Sequence, residues 1–174
     1  MDDQLPLNNK STETPGILIE PFQPEDQQAV KTLILDGLVE HWGWLDPYKN
    51  PDLNDIASSY VDSVFLVARQ SGQVIGTGAL VHRSESTAEI VRMSVAASHR
   101  RQGIGRLILE RLVNHAHRIG MKQIILETTA AWEEVVEFYQ NAGFELSHYT
   151  DGDAFFFMDI EAQANSMGIQ SQEE

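Results

Sequence analysis

The sequence predicts an α/β fold built around a mixed β-sheet, and three observations support this prediction. Segments rich in β-branched residues alternate along the chain with segments of helical periodicity. Short glycine-containing turns separate two pairs of predicted strands, which is typical of antiparallel hairpins. The chain has 174 residues, of which 42% are hydrophobic and 22% charged, and this is enough for one domain with a sizeable core.

The N-terminal half is predicted to contain a strand, two helices and three further strands. A strand over 16–22 precedes Pro24, Glu25 and Asp26, which begin a helix because proline and acids are favoured in a first turn. The stretch 41–54 is rich in Pro, Asn and Asp and is predicted as a loop. A short helix over 55–62, a hairpin of strands at 64–69 and 74–83, and a strand over 86–96 follow.

The C-terminal half alternates helices with strands and ends in a second hairpin. From Gly103 to Gly120 apolar residues recur at helical spacing, which predicts a helix between the two glycines. A buried strand at 122–129, a helix at 131–144 that ends at Gly143, and strands at 144–150 and 154–160 complete the order. We expect a flexible N-terminal segment over 1–15, a single domain over 16–160 and a polar C-terminal tail over 161–174.

Composition excludes several classes of partner. The chain has 26 acidic residues against 12 lysines and arginines, and its formal net charge of −14 repels phosphate backbones, so we expect no nucleic-acid partner. No apolar run approaches the roughly 20 residues of a membrane span, and the polar N-terminus is unlike a secretory signal, so we expect no membrane partner. The absence of cysteine excludes a cysteine nucleophile and favours a cytoplasmic location.

Positive charge is concentrated around one glycine-rich turn. Arg100, Arg101 and Arg106 surround Gly103 and Gly105 at the predicted start of a helix. A helix N-terminus presents unpaired backbone N–H groups and a partial positive charge, and glycine lets an anion approach them closely. The pattern therefore indicates a seat for a pyrophosphate group.

The same glycine turn can be compared with other phosphate-binding loops. A Rossmann fingerprint needs a third glycine where this chain has Ile108, and a Walker A loop needs a Gly-Lys-Ser/Thr sequence that is absent. An ordinary tight strand-to-helix turn stays an alternative, and so does a nucleotide-binding module that uses the same amides.

Metal and hydrolase chemistry find little support in the sequence. His115 and His117 are two residues apart on a predicted helix and therefore diverge, and no HExxH spacing occurs. No Gly-x-Ser-x-Gly elbow occurs either, so a serine hydrolase is not expected. We expect no metal.

Two motifs together resemble a known family. The stretch "EIVRMSVAASHRRQGIGRLIL" is similar to the central motif of the GCN5-related N-acetyltransferases (GNAT), in which Arg100-x-x-Gly103-x-Gly105 matches the cofactor-binding pattern. Downstream, "EFYQNAGFE" is similar to the family's Phe-Tyr-x-x-x-Gly-Phe signature. The resemblance covers 16–160. It implies a mixed, mostly antiparallel central sheet flanked by helices on both faces, with acetyl-CoA as co-substrate.

The resemblance also implies a set of cofactor-binding residues. In this family a bulged strand splays from its neighbour, and the pantetheine arm of the cofactor fills the gap. The matching backbone groups are those of Met93, Ser94 and Val95. Trp132 stands where many members have an asparagine that contacts the cofactor, so its role is left open between packing on pantetheine and capping the acceptor pocket. The residues matched to the pyrophosphate are Arg100, Arg101, Gln102, Gly103, Ile104, Gly105 and Arg106.

Catalytic roles follow from the same resemblance. Tyr139 matches the tyrosine placed near the thioester sulfur, where a phenol can act as a general acid. An amine acceptor must lose a proton, and Glu127 and Glu89 match strand positions at which members place a carboxylate; we favour Glu127 over Glu89 as the base. Without the motif, the helix pattern favours Tyr139 as a core aromatic residue, and the alternative for the two glutamates is a hydrogen-bonded strand-end carboxylate.

The function implied is transfer of an acetyl group from acetyl-CoA to a primary amine of a small molecule, amino acid or peptide by direct attack. The alternative is a non-catalytic acyl-CoA-binding regulatory module on the same fold. Acceptor choice is expected from the segment 41–54, whose aromatic and acidic residues suit a cationic amine or, alternatively, pack on the core. A homodimer is compatible with the resemblance.

Overall fold

The computed structural model describes residues 16–46 and 48–160, so the predicted segments 1–15 and 161–174 lie outside the described residues. These residues form one seven-stranded sheet and four α-helices. The strands are β1 (Ile17–Pro21), β2 (Val64–Gln70), β3 (Gln73–His82), β4 (Thr87–Val95), β5 (Gln123–Thr129), β6 (Glu145–Thr150) and β7 (Asp153–Asp159). The helices are α1 (Gln27–Trp42), α2 (Ile56–Ser59), α3 (Ile104–Arg118) and α4 (Glu133–Asn141), with 3-10 turns at Pro24–Asp26, Pro51–Asn54 and Ala97–His99.

The sheet is mixed and mostly antiparallel, as predicted. Its strand order is β1-β2-β3-β4-β5-β7-β6, and every neighbouring pair is antiparallel except β4 and β5. Those two strands are parallel because α3 carries the chain back along the sheet between them. The two predicted hairpins are β2–β3 and β6–β7.

Helices cover both faces of the sheet. Successive residues of a strand point to opposite faces, and the neighbours Ala79 and Leu80 of β3 belong to two different apolar clusters. Leu80 lies in the cluster that contains the buried face of α3, including Ile108 and Leu112. Ala79 lies in the cluster that contains Val30 of α1. The α3 and α4 helices therefore pack on one face, and α1 and α2 on the other.

The helix boundaries differ most from the prediction at the end of α1. The helix continues through His41 and Trp42, which were predicted to begin a loop, and it ends at Gly43. Gly43 has φ +75°, and its N–H donates to Val39 O at 2.7 Å, which is a left-handed C-cap. The second helix is shorter than predicted, and its N-cap is Asp55, whose carboxylate accepts from Ser58 N.

Candidate active site

The parallel strands β4 and β5 separate part-way along their length. They pair only where Thr87–Glu89 lie beside Gln123–Ile125, although β4 continues to Val95 and β5 to Thr129. A cavity of about 1080 Å³ occupies the gap. Residues of both strands, of the C-terminal half of α1, of the first turn of α3 and of α4 line it, so the gap connects the two faces of the sheet.

A β-bulge in β4 opens this gap. Val91 lies opposite Ala79 and Ser94 opposite Thr77, so two residues of β4, Arg92 and Met93, face one residue of β3. Arg92 has φ +57°, a left-handed conformation that is uncommon for a residue other than glycine. The bulged strand bends away from β5, and the edge of β4 from residue 93 onward faces the cavity.

Tight packing and a hydrogen bond from two residues of β3 hold the bulge in place. The residue that faces it is Gly78, where an added Cβ would lie only 2.6 Å from the Met93 sulfur and from Ile108 Cγ2. The Thr77 hydroxyl, which is fully buried, donates to Arg92 O at 2.8 Å. The bulge therefore depends on a small residue at 78 and a hydroxyl at 77.

The turn before α3 presents backbone amides to the cavity. Arg101 and Gly103 both have positive φ, +59° and +82°, and α3 begins at Ile104. The N–H groups in a first helical turn have no intrahelical partner, so those of Ile104, Gly105 and Arg106 can bind an anion. Gly103 is required for its φ, since nothing lies within 4 Å of an added Cβ.

Gly105 has a different requirement. An added Cβ would lie 3.6 Å from Phe138 Cζ and from Val95 Cγ2, which is ordinary van der Waals contact. The folded chain alone therefore tolerates a side chain at 105. The glycine instead keeps the surface of the cavity open at the helix N-terminus, which is what the approach of a phosphate group requires.

The arginines around this turn all have acidic partners. Arg100 makes a bidentate pair with Glu40 of α1, both N–O distances being 2.7 Å, and its Nε donates to Val95 O at 3.1 Å. This hydrogen-bonded pairing raises the pKa of Arg100 and lowers the pKa of the Glu40 carboxyl. Arg101 pairs with Glu134 at 2.6 Å, and Arg106 pairs with Glu110 at 2.8 Å. The amides, more than the guanidinium groups, thus supply the positive potential of the seat.

Tyr139 of α4 reaches the gap from the α3 side of the sheet. It is 6% exposed and packs edge-on against Phe144, with ring centroids 5.9 Å apart. Burial raises the pKa of its phenol above the usual value of 10.0. In the described part of the chain, every enclosed side-chain oxygen has a hydrogen-bond partner. The Tyr139 hydroxyl has no partner among these residues and is therefore not enclosed. Since Tyr139 lines the cavity, the hydroxyl opens onto it.

The two predicted carboxylates reach the gap from the α1 side. Glu89 lies beside Ile125, and Glu127 lies two residues further along β5, so both project from one face where the strands separate. Glu89 is paired with Arg83. Glu127 has no ion-pair partner among residues 16–46 and 48–160. Its pKa is raised by burial and by repulsion from Glu89 and Asp153.

Trp132 closes one side of the cavity. It precedes α4, and its ring lies 4.3 Å from that of His41 and 5.7 Å from that of Trp42, both at the end of α1. Two helices from opposite faces of the sheet thus meet over the gap. Of the aromatic residues in the predicted acceptor segment, Trp42 and Trp44 are mostly exposed, and neither is part of the core.

All but one of the predicted site residues line the same cavity. The exception is Gln102, whose side chain donates to Ser98 O at 3.3 Å on the exposed side of the turn. In the part of the chain that the structure describes, no group of three or more His, Asp or Glu residues could hold a metal ion. No helix within the same ranges is long and apolar enough to cross a bilayer.

Comparisons with known proteins agree with this architecture. The model of the Acetyltransferase (GNAT) family matches residues 28–144, which include the bulge, the glycine turn and Tyr139. The chain belongs to the GNAT acetyltransferase family. The resemblance to this family is thus confirmed, and the acyltransferase class of this GNAT chain follows.

Curated relatives of this GNAT chain include acetyltransferases from bacteria and animals. It is 36% identical over 132 residues to an IAA acetyltransferase of Azospirillum brasilense, an alignment that covers 75% of this chain and 85% of that protein. It is 31% identical over 128 residues to N-alpha-acetyltransferase 60 of Drosophila melanogaster, which covers 70% of this chain and 45% of that protein. The chain therefore spans less than half the length of the second relative.

Solved structures share the fold at low sequence identity. A GNAT-family acetyltransferase from Staphylococcus aureus Mu50 has a TM-score of 0.76 at 19% identity, covering 83% of this chain and 99% of that one. The PaiA N-acetyltransferase from Thermoplasma acidophilum, solved in complex with coenzyme A, has a TM-score of 0.72 at 18% identity, covering 82% and 98%.

Several residues that line the site were not singled out from the sequence. Arg92, Asp52 and Tyr60 form a hydrogen-bonded group on the wall of the cavity, and Arg83 and Asp153 flank the carboxylates. Arg92 counted in the sequence only as one of many basic residues. No local sequence pattern identifies it, because its hydrogen-bond partners lie 32 to 42 residues away in the chain. Its positive φ is also not signalled by the residue type.

Proposed function

We propose that this protein is an acetyl-CoA-dependent N-acetyltransferase that acts on a primary amine. The observation that carries the proposal is the gap between β4 and β5, with unpaired helix amides at one end, a phenol in the middle and carboxylates at the other. Relatives named as N-acetyltransferases support nitrogen as the acceptor atom.

The cofactor half of the cavity fits an acyl-CoA molecule. The edge of β4 at Met93, Ser94 and Val95 offers backbone groups that β5 leaves unpaired, and a pantetheine arm has amides that can complete such a ladder. The open surface at Gly105 and the amides that follow Gly103 suit a pyrophosphate group. Acetyl-CoA supplies the activated acetyl group as a thioester.

The chemistry needs three contributions from the chain. The bulge and the glycine turn position the thioester, which converts an encounter between two molecules into a reaction within one complex. The amine nitrogen forms a bond to the thioester carbonyl carbon, and the carbon–sulfur bond breaks. The proton lost by the nitrogen goes to a carboxylate. The sulfur leaves as a thiolate, which takes a proton from water to become the free thiol.

Tyr139 is proposed to stabilise the departing sulfur. Since burial raises the pKa of its phenol, Tyr139 stays protonated across the neutral range and donates a hydrogen bond to the thiolate. A free thiol has a pKa of about 8.5, so the thiolate is a weaker base than this phenolate. Charge stabilisation by a retained proton is therefore favoured over complete transfer.

Glu127 is proposed as the proton acceptor, directly or through water. Glu89 forms an ion pair with Arg83, whereas Glu127 has no ion-pair partner in the described residues. A base works best when its pKa lies near the working pH, and the environment of Glu127 moves its pKa in that direction. Glu89 contributes to this shift as a neighbouring negative charge.

The proposal is tested by following thiol release from acetyl-CoA with a panel of primary amines. We expect turnover with at least one amine, and a Tyr139→Phe variant is expected to lose about 100-fold in kcat because the sulfur loses a hydrogen-bond donor. The affinity for CoA, measured by calorimetry, is expected to stay within about twofold, since the phenol acts mainly on developing charge.

A Phe144→Leu variant is the matched control, because it also alters the aromatic packing around Tyr139 but leaves the hydroxyl. CoA binding without turnover of any amine would instead support the non-catalytic acyl-CoA-binding module. Equal kcat in Tyr139→Phe and the wild type would remove Tyr139 from the mechanism.

A further inference from the structure

Arg92 joins the bulge of β4 to residues 50–60. This segment forms one wall of the part of the cavity that is proposed to hold the acceptor, called here the acceptor half. Its Nε and Nη2 donate to the two carboxylate oxygens of Asp52 at 2.9 and 2.5 Å, and its Nη1 donates to Asn50 Oδ1 at 2.9 Å. The Tyr60 hydroxyl donates to Asp52 Oδ2 at 2.6 Å and lies 3.3 Å from Arg92 Nε. Arg92, Asp52 and Tyr60 all line the cavity.

The electrostatics keep this group as a stable ion pair with a neutral phenol. Burial acts to raise the pKa of the Asp52 carboxyl, but the hydrogen bonds from Tyr60 and Arg92 outweigh it and hold the pKa below its usual range. Burial and the hydrogen bond to Asp52 raise the pKa of Tyr60 to about 12. Every nitrogen of Arg92 has a partner, so its guanidinium is engaged in holding the wall and is not free to bind an acceptor carboxylate.

The segment that Arg92 holds is also anchored by apolar packing and by α1. The Tyr60 ring packs edge-on against Phe65 of β2, with ring centroids 5.0 Å apart. Leu53 and Ile56 are fully buried against α1, and the Gln27 side chain donates to Leu53 O and accepts from Ile56 N, both at 2.9 Å. On the cavity side, the hydrogen bonds that join Asp52 and Tyr60 to β4 are made to Arg92. The polar side of this wall is thus tied to the position of the Arg92 guanidinium.

The backbone of the same residue belongs to the cofactor half. Arg92 holds a left-handed conformation that its surroundings must stabilise, and they do so from both sides of the strand. The buried Thr77 hydroxyl fixes its carbonyl, and the 50–60 segment fixes its guanidinium. The bulge and the guanidinium position are therefore linked through this one residue.

We propose that Arg92 is a positioning residue that couples the cofactor gap to the acceptor wall. A molecule that completes the edge of β4 stabilises the bulge, and the Arg92 guanidinium transmits this order to residues 50–60, which then shape the acceptor pocket. By thermodynamic linkage, an acceptor that orders the wall strengthens cofactor binding by the same factor. The coupling rests on the proposed function, because it assigns the two halves of the cavity to acetyl-CoA and to an amine.

The test uses Asp52→Asn in the full chain, since it removes the charge on the wall and leaves the bulge residue intact. With an amine that the wild type acetylates and with saturating acetyl-CoA, we expect KM for the amine to rise about tenfold while kcat changes by less than about threefold. Tyr60→Phe is expected to shift KM in the same direction by a smaller factor. Arg92→Lys keeps the charge but loses the two-pronged guanidinium contact to Asp52. It is expected to raise KM for the amine by about the same factor as Asp52→Asn.

Asp26→Asn is the matched control. Asp26 is a buried carboxylate that pairs with Arg69 at the start of α1, outside the cavity. Its loss is expected to lower thermal stability and to leave KM for the amine unchanged. If Asp52→Asn lowers stability as Asp26→Asn does and also leaves KM unchanged, the Arg92 group is structural only and the proposal is wrong.

Hydrogen exchange gives a readout that needs no acceptor. Addition of CoA to the wild type is expected to slow amide exchange in residues 50–60, and this slowing is expected to disappear in Asp52→Asn although CoA still binds. A chain that binds CoA but acetylates no amine contradicts the proposed function, and exchange alone then decides the coupling. Unchanged exchange in the wild-type segment on CoA binding overturns the coupling.

Discussion

The two halves of the cavity are built from different parts of the chain in different ways. The half proposed for the cofactor is mostly backbone: a bulged strand edge and the first turn of α3, both within residues 92–106. The half proposed for the acceptor is made of side chains from distant segments, with Asp52 and Tyr60 on one wall and Glu127 and Asp153 on the other. A backbone site leaves a compact sequence motif, whereas a side-chain site assembled by folding does not.

The largest effect is expected on the acceptor side, at the base. Glu127→Gln keeps the shape of the side chain but cannot take a proton, so we expect kcat/KM for the amine to fall by about 100-fold or more. Glu89→Gln is the control. Glu89 forms an ion pair with Arg83, so its substitution is expected to have a much smaller effect on kcat/KM. Steady-state kinetics with both variants distinguishes the two carboxylates, and a larger loss for Glu89→Gln would reverse the assignment.

A smaller effect is expected on the cofactor side, at the two glycines of the turn. Gly105→Ala fills the surface next to the helix amides, so we expect CoA affinity to fall by about tenfold while thermal stability is kept, because alanine is a better helix former than glycine. Calorimetry and thermal unfolding measure the two quantities.

Gly103→Ala is the counterpart of that variant. Its backbone has φ +82° with open space around an added Cβ, so the expected loss is of stability, about 1 kcal/mol in the free energy of unfolding. If Gly105→Ala unfolds the protein as readily as Gly103→Ala and leaves CoA binding unchanged, the glycine at 105 is structural.

The smallest effect is a shift in pH dependence. Burial and the charges of Glu89 and Asp153 raise the pKa of Glu127, and a base must be deprotonated, so activity is expected to be lost as the pH falls through this raised value. Asp153→Asn removes one negative neighbour and lowers the pKa of Glu127. The acid limb of the pH–kcat profile is therefore expected to move to lower pH.

Asp151→Asn is the control for this shift, since Asp151 lies two residues before Asp153, in the β6–β7 turn, but does not contribute to the pKa of Glu127. Asparagine also tolerates its left-handed conformation, φ +53°. An acid limb that stays in place in Asp153→Asn, or one that moves equally in both variants, would exclude the proposed electrostatic origin.

Most of the fold was predictable because its signals are local. The order of elements follows from changes in hydrophobic period, as at Gly103, and from turn residues such as those of the β6–β7 hairpin. The end of α1 was misplaced because the aromatic residues around 42 have no strong helical pattern. Gly43, and not the composition of the loop that follows it, sets the end of the helix.

The arginines around the turn show where local prediction stops. Arg100, Arg101 and Arg106 were predicted to add positive charge at one point, and the structure pairs them with Glu40, Glu134 and Glu110. Two of these partners are more than 30 residues away along the chain. Charge concentrated along a sequence is therefore not the same as charge concentrated in space.

The sequence by itself determined the α/β order, the glycine turn before α3 and the family to which the chain belongs, because each depends on residues close together in the chain. Only the tertiary structure decided which side chains face the half of the cavity proposed for the acceptor. It brought Arg92 to Asp52 and, within residues 16–46 and 48–160, gave Glu127 no ion-pair partner, because strand register and the bulge at Arg92 set which way each side chain points. Register is a property of paired strands, and no single segment contains it.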